Sequence, residues 1–365
     1  MIGKVVQMTD VRELTLKEFE VPKPEKGALV MENIRSNICG SDVHAWEGHH
    51  VLRNHVVGHE MVGRILELGE GVTTDYASDP VKVGDRIVPC YYITCQKCKA
   101  CANGLFNICE NGSRYDGQRA DLPPHFTGGF ATHYYVQPNQ YFYKVPDSIS
   151  DNVAAGINCG ITQVLYAMDQ SGLVSSDFIV IQGAGGLGLF GCAIAKTMGA
   201  KVIVLDGVDS RLKEAEKFGA DYLISMNEFD TMQKRIDEVN RITGGFGADV
   251  ALEVAGVPQA FNEGLRMLRM GGTYLELGNV LIGEDFNTSI VPGIICRRCI
   301  TVKGILRYQP WYIYRTMKFL DRYGKDYPFD SLTDRCYALE ECDLAMEKAR
   351  SKEVARVVFD PNPGK

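Results

Sequence analysis

A chain of 365 residues exceeds what one hydrophobic core usually serves, and at about 150 residues per domain it implies two domains. Hydrophobic residues make up 45% and charged residues 23%, an ordinary globular balance, and no run of about 18 apolar residues suggests a membrane span. The net charge of −7 and pI near 5.6 argue against general nucleic-acid binding, which needs clustered Lys and Arg.

Residues 1 to about 150 carry short β-like runs punctuated by Gly and Pro, among them Gly27-Ala-Leu-Val-Met, Val56-Val-Gly-His-Glu-Met and Val83-Gly-Asp-Arg-Ile-Val. This texture predicts a β-rich, barrel-like unit. Near Ser176 it changes. Apolar strands Phe178–Ile181, Val202–Leu205, Tyr222–Ile224, Val250–Val254 and Thr273–Leu277 alternate with helical stretches Leu187–Met198, Ser210–Phe218, Thr231–Thr243 and Pro258–Arg269. Such alternation predicts a doubly wound parallel sheet and an α/β fold class. After about Ile300 the texture is mixed, closing with a helix near Glu340–Ala349 and a strand at Ala355–Phe359. No internal repeat or low-complexity tract is present. The expected organisation is one domain from 1–155 with 300–365 around a second from 156–299.

Twelve cysteines without an apolar leader at the N-terminus suggest a reducing, cytoplasmic setting. There, spaced thiols serve as metal ligands or reactive groups. Cys95-x2-Cys98-x2-Cys101-x7-Cys109 suits a closed tetrahedral zinc site of structural type. An iron–sulfur cluster is the alternative, disfavoured by the seven-residue gap and the lack of Pro after Cys109. Cys39, His59 and the distant Cys159 form a softer set that would leave a fourth position open for substrate. Taken alone, His59 or Cys159 would read equally well as a buried residue.

The run Phe178-Ile-Val-Ile-Gln-Gly183-Ala-Gly185-Gly186-Leu187-Gly188 has the order strand, GxGxxG, helix. Its glycines allow a tight turn, close approach of a pyrophosphate, and close helix–strand packing, with phosphate at the helix N-terminus. Asp206 ends the next strand, where a carboxylate bonds ribose hydroxyls and repels a 2′-phosphate, favouring NAD over NADP. A simple turn, with Asp206 capping the following helix, is the rival reading.

Together these motifs resemble the zinc-dependent medium-chain alcohol dehydrogenases over essentially the whole chain. The matching segments are Cys39-Gly-Ser-Asp-Val-His44, Gly58-His-Glu-Met-Val-Gly63, Val83-Gly-Asp-Arg86, the four-cysteine lobe, Gly129-Phe-Ala131, Gly183–Gly188 and Asp206-x4-Arg211-Leu212. The resemblance implies a Rossmann domain binding NAD beside a GroES-like catalytic domain, and a homodimer or homotetramer joined through the Rossmann sheet. It implies catalytic Zn2+ on Cys39, His59 and Cys159, with Glu60 near the metal and Asp42 orienting His59. It also implies structural Zn2+ on Cys95, Cys98, Cys101 and Cys109. Ser41 would touch the reacting oxygen and His44 would return the proton to water. Arg211 would serve cofactor binding, and Arg356 matches a basic position near the pyrophosphate. Where the family usually has Thr, four residues after the third ligand, this chain has Gln163, with Thr162 just before. A gapless match keeps Cys159 as the ligand; a slip of one would put Asn158 there, a poorer zinc donor than thiolate.

Trp46 and Tyr91 match pocket-lining positions and suggest a secondary or cyclic alcohol. A polyol or amino-alcohol dehydrogenase is the alternative, although such relatives often carry a carboxylate at the Cys159 position. The segment 111–128 contains Arg114, Arg119 and His125, which would suit an anionic handle on the substrate if they are not simply solvated. A non-catalytic zinc or thiol-switch protein is the remaining alternative. Cys296-x2-Cys299 reads as packing or interface rather than a redox pair. Cys90, Cys192, Cys336 and Cys342 read as small apolar residues, and His49, His50 and His55 as loop residues without a task.

Overall fold

A computed structural model describes residues 1–49, 54–112 and 119–364. The chain forms two compact units. One comprises Met1–Thr162, Arg307–Lys325 and Phe329–Lys365; the other comprises Gln163–Leu306 and Asp326–Pro328. The first unit extends past the 155/156 boundary expected from sequence because the turn Ile157–Ile161 is tied into it. Asn158 Nδ2 donates to the carbonyls of His59 (2.9 Å) and Pro89 (3.0 Å). The second unit runs past 299 because Thr301–Gly304 adds a strand to its sheet.

The first unit is built mainly on antiparallel pairing, with Thr333–Tyr337 parallel to Arg356–Phe359. Leu29–Asn37 pairs with Glu60–Leu68 and with His133–Val136. The seven-stranded sheet runs Thr333–Tyr337, Arg356–Phe359, Leu29–Asn37, Glu60–Leu68, Arg86–Pro89, Phe142–Lys144, with His133–Val136 attached to Leu29–Asn37. Glu13–Glu20, Ile2–Asp10 and His55–Val56 form a smaller sheet. Two of the sequence motifs meet in this unit. Gly129 N–H donates to Gly58 O at 2.7 Å and Phe130 N–H to Val57 O at 2.9 Å. A Cβ on Gly58 would lie 2.2 Å from the Phe130 ring, so the residue before His59 has to be glycine. The Val83–Arg86 motif is a clamp: the Arg86 guanidinium bonds Asp151 Oδ1 at 2.6 Å and the carbonyls of Pro146 and Ile149 at 2.9 Å.

The second unit is a parallel sheet in the order Tyr222–Ser225, Lys201–Asp206, Phe178–Gln182, Ala248–Glu253, Leu268–Glu276, Thr301–Gly304. This is the Rossmann strand order, with the first strand of the unit central. Central parallel strands are buried on both faces, so they read as unbroken apolar runs. Ile179, Val180 and Ile181 are fully buried, each contributing about 1.5–3 kcal/mol relative to exposure. The observed helices Gly186–Thr197, Asp209–Lys217, Met232–Ile242 and Pro258–Met267 fall where the sequence periodicity places them.

The sequence reading passed over the helix Tyr312–Tyr323 in the first unit. Its buried positions Tyr312, Ile313, Thr316, Met317 and Leu320 follow helical spacing. Interleaved aromatic and basic residues hide that stripe in a short window. No described helix is long and apolar enough to cross a membrane.

Candidate metal centres and dinucleotide loop

The helix Gly40–Trp46 starts at Cys39, and Asp42 occupies its third position. From there Asp42 Oδ2 accepts the Cys39 backbone N–H at 2.8 Å, the reach-back half of a capping box. Its other oxygen, Oδ1, lies 3.2 Å from His59 Nδ1. One buried carboxylate therefore orients two ligand residues, and leaves His59 Nε2 facing Cys159 Sγ at 3.3 Å. Cys159 sits in the single-turn π-helix Ile157–Ile161, a local widening common at functional sites.

One ligand atom from each of Cys39, His59, Glu60 and Cys159 lies within 4.8 Å of the others. Their chemistry fits a divalent metal. The hydrogen bond from Cys159 holds the Cys39 thiol well below the usual range, and the same bond with burial pushes Cys159 well above it. Two thiols thus share a proton where a cation would serve both. Burial alone would lower the His59 pKa, but Asp42 and Cys39 outweigh it and raise it. Glu60 is fully buried, and burial raises its carboxyl above the ordinary value. Its Oε2 bonds Arg356 Nη1 at 2.8 Å and Asn37 Nδ2 at 3.3 Å, while Oε1 has no hydrogen-bond partner among the described residues. The Asn158 amide is engaged by backbone: Oδ1 accepts from Met61 N at 3.3 Å and Nδ2 donates to two carbonyls. It is Cys159 that stands among the ligand atoms.

Ser41 hydrogen-bonds Cys39, and His44 lies in the last turn of the same helix. Tyr91 packs its ring 4.9 Å from that of His59, with Tyr92 and Arg307 behind it. Trp46, expected at a substrate pocket, is instead core. It is 3% exposed, packs with Val6, Met8, Ile38 and Phe359, and Arg12 covers its ring at 5.5 Å. The helix turns its last residue onto the sheet, which sequence position alone does not reveal. Gln163 Nε2 donates to Ile305 O at 3.3 Å, within the second unit.

The four-cysteine lobe brings Cys95, Cys98, Cys101 and Cys109 within 4.8 Å by their ligand atoms. Backbone N–H groups of Cys95 and Cys101 point at Cys109 Sγ (3.3 Å) and Cys98 Sγ (3.5 Å), and Asn111 Nδ2 at Cys95 Sγ (3.2 Å). Such donors stabilise thiolates. The Asn111 bond and neighbouring backbone lower Cys95 to about 6, while burial raises Cys101 to about 12. A divalent ion would level that difference. Gln309 anchors the lobe by bonds to Phe106 N (3.1 Å) and Asn107 Oδ1 (2.9 Å).

In the second unit three glycines of the loop have distinct reasons. Gly183 has φ +111 and a Cβ there would sit 3.0 Å from Ala255 backbone; at Gly188 it would meet the Gly183 carbonyl at 1.9 Å. Around Gly185 nothing lies within 4 Å, leaving room at the N-terminus of Gly186–Thr197 for a phosphate. Leu187 is half-buried in that helix's first turn. Asp206 has a bracing role that sequence alone does not reveal. Oδ2 accepts from Ala184 N at 2.7 Å and Oδ1 from Val208 N at 2.8 Å, so it braces the loop and keeps lone pairs for a ribose. Arg211 is half-buried in the first turn of Asp209–Lys217.

Sequence reasoning missed an acid pair at strand C-terminal ends, the fully buried Glu253 and the half-buried Glu276. Burial and the neighbouring Glu276 raise Glu253 to about 8. Gly256 N, Gly278 N and Asn279 Nδ2 donate to Glu253 at 2.7, 3.1 and 3.1 Å. The signal was an acid closing two apolar strands. Arg356 is neither exposed nor a lone charge, being buried against Glu60. In segment 111–128, Arg119 pairs with Asp121 at 2.6 Å and His125 stacks on Phe19 at 4.3 Å, so both are already engaged. Arg114 and His50 lie outside the described residues. Cys90, Cys192 and Cys342 are buried and Cys336 half-buried, whereas Cys296 and Cys299 are exposed.

Known proteins share these features. The model of the alcohol dehydrogenase GroES-like domain matches residues 25–147, and that of the zinc-binding dehydrogenase matches 186–322. L-threonine 3-dehydrogenase from Pyrococcus abyssi is 32% identical over 94% of each chain. The 5-exo-hydroxycamphor dehydrogenase of Pseudomonas putida is 30% identical, covering 96% of this chain and 97% of its own. The crystal structure of an alcohol dehydrogenase from Thermotoga maritima matches with TM-score 0.92 and 30% identity, over 99% of this chain and 100% of that one.

Proposed function

Because this chain belongs to the zinc-dependent medium-chain alcohol dehydrogenases, and so oxidises alcohols with a nicotinamide cofactor, we propose a secondary alcohol as substrate, NAD as cofactor and two zinc ions per chain. The convergence of Cys39, His59, Glu60 and Cys159 carries the reading, since a scaffold has no use for an acid buried beside an open thiolate–imidazole set.

Cys39, His59 and Cys159 would hold the catalytic ion, and the four-cysteine lobe the structural one. Zinc, when bound, supplies Lewis acidity that lowers the pKa of a substrate hydroxyl. Asp42 fixes the imidazole of His59 so that Nε2 stays available. Arg356 holds Glu60 by its Oε2 and leaves Oε1 without a hydrogen-bond partner among the described residues. The Ser41 hydroxyl takes the substrate proton as it gives up its own, and His44 takes up the released proton and returns it to water. Gly183–Gly188 and the helix N-terminus hold the cofactor's pyrophosphate, aided by Leu187 and Arg211. The Asp206 carboxylate accepts from the ribose and repels a 2′-phosphate. Tyr91 and Gln163 are proposed to contact the substrate side.

The secondary-alcohol reading is supported by the relatives, whose names specify threonine oxidised at carbon 3 and 5-exo-hydroxycamphor. The first of these favours a second reading, an amino alcohol. The exposed edge strand Thr301–Gly304, with exposed Val302, Ile290 and Val291 in the same stretch, supports self-association as a dimer or tetramer. Thiolate ligands require reduced thiols, which supports a cytoplasmic location.

The test follows NADH and NADPH formation with primary, secondary, cyclic, amino and poly-alcohols, before and after chelation. Chelator-sensitive reduction of NAD by secondary alcohols is expected. Turnover confined to primary alcohols, or preference for NADP, would overturn the corresponding part of the reading. Rates far higher with an amino alcohol would install the second reading.

A further inference from the structure

The helix Gly40–Trp46 ends in a turn that brings two imidazoles together. Glu47 follows the last helical residue, and Gly48 has φ +92. Gly48 N–H bonds Ala45 O at 3.0 Å and His49 N–H bonds His44 O at 3.0 Å. These nested bonds fold the residue after the glycine back over the last helical turn, where an apolar pair ordinarily makes the contact. Here the pair is His44 and His49, with ring centroids 5.9 Å apart at 71°. The Glu47 carboxylate joins them: one ligand atom from each of His44, Glu47 and His49 lies within 4.8 Å of the other two.

We propose that His44, Glu47 and His49 form a further site for a divalent transition-metal cation, distinct from the two thiolate-bearing sites. Two imidazoles and one carboxylate suit zinc and its borderline neighbours, and suit magnesium or calcium poorly. The helix C-terminus adds partial negative charge on the same side. The standing partner of Glu47 is weak competition: Arg12 Nη2 lies 3.4 Å from Oε1 and is half exposed, where water screens an ion pair. His49 is exposed, so the site opens to solvent and fills from free metal. A cation on either nitrogen of His44 draws electron density from the ring and opposes its taking up a proton. Excess zinc therefore inhibits alcohol oxidation while the catalytic ion stays in place, a consequence that rests on the relay role given to His44 above.

The experiment titrates the metal-loaded enzyme with Zn2+, and with Mg2+ as control, by calorimetry, counting uptake beyond the metal the purified protein already carries. Oxidation rates are recorded across the same series for the parent, His49→Ala and Glu47→Gln. One further zinc per chain is expected in the parent, with activity falling in step. Both variants should bind it at least roughly tenfold more weakly, by analogy with lost metal-site partners, keep their basal activity, and resist inhibition. Mg2+ should do neither. No further uptake in the parent, or uptake unchanged in both variants, overturns the site. Uptake that the variants abolish but that leaves parental activity intact supports the site and refutes the relay role of His44, which separates the two readings.

Discussion

Replacing Asp42 by Asn keeps size and shape but removes one acceptor. In the structure both faces of Asp42 are used as acceptors: Oδ2 by the Cys39 N–H at 2.8 Å and Oδ1 by His59 Nδ1 at 3.2 Å. The side chain is 7% exposed, so water cannot substitute. Asparagine has a single acceptor oxygen, and its NH2 must then oppose either the Cys39 N–H or the His59 Nδ1–H. A hydrogen bond to a charged group contributes about 1.5–3 kcal/mol. Losing the carboxylate behind a metal-bound imidazole lowers metal affinity about 10–100-fold, which is about 1.4–2.7 kcal/mol at 1.36 kcal/mol per tenfold. The two ranges agree. Competition against a chromophoric chelator should show one zinc equivalent per chain leaving at about 10–100-fold lower chelator concentration, with the second unmoved and circular dichroism unchanged. Retention of both equivalents as in the parent would refute the assignment. Loss of both together would show that Asp42 supports the fold rather than the ligand set.

Cys101→Ser should remove the other equivalent, because a serine hydroxyl is a poor zinc donor; metal analysis near one zinc per chain and faster proteolysis within 95–112 would report it. Gly188→Ala puts a Cβ 1.9 Å from the Gly183 carbonyl. Overpacking against backbone costs at least the upper end of about 1–3 kcal/mol, so calorimetric NAD binding and melting temperature should fall together; unchanged values would place the helix elsewhere. Glu253 has its pKa raised from 4.5 to about 8 by burial and by Glu276. The folded state therefore holds the extra proton, and the stability it contributes is present below about pH 4.5 and lost as pH rises toward 8. Glu276→Gln should flatten that slope in amide hydrogen exchange of the second unit, and an equal slope in both proteins would dismiss the pair.

Several features were legible in sequence because they are local. The strand–GxGxxG–helix order, the C-x2-C-x2-C ladder and the unbroken apolar runs each put their physics inside a few dozen residues, where turn geometry and ligand spacing leave little freedom. Cys159 could be grouped with Cys39 and His59 by donor type but not by spacing, since 100 residues separate it from His59 and no spacing rule spans that gap. The helix Tyr312–Tyr323 was missed because its buried stripe is interleaved with Arg and Lys.

What the sequence alone determined is the chemistry available: soft and hard donors, a glycine-rich strand-to-helix turn and an acid closing the second Rossmann strand. What only the tertiary structure decided is which atoms meet. It placed Trp46 in the core, gave Glu60 the guanidinium of Arg356 from 296 residues away, and laid His49 against His44. Those outcomes depend on side-chain direction and on which buried charge finds a partner. Both are set when the sheets close around them, because an unpaired charge inside costs several kcal/mol, and only packing across distant segments can supply its partner.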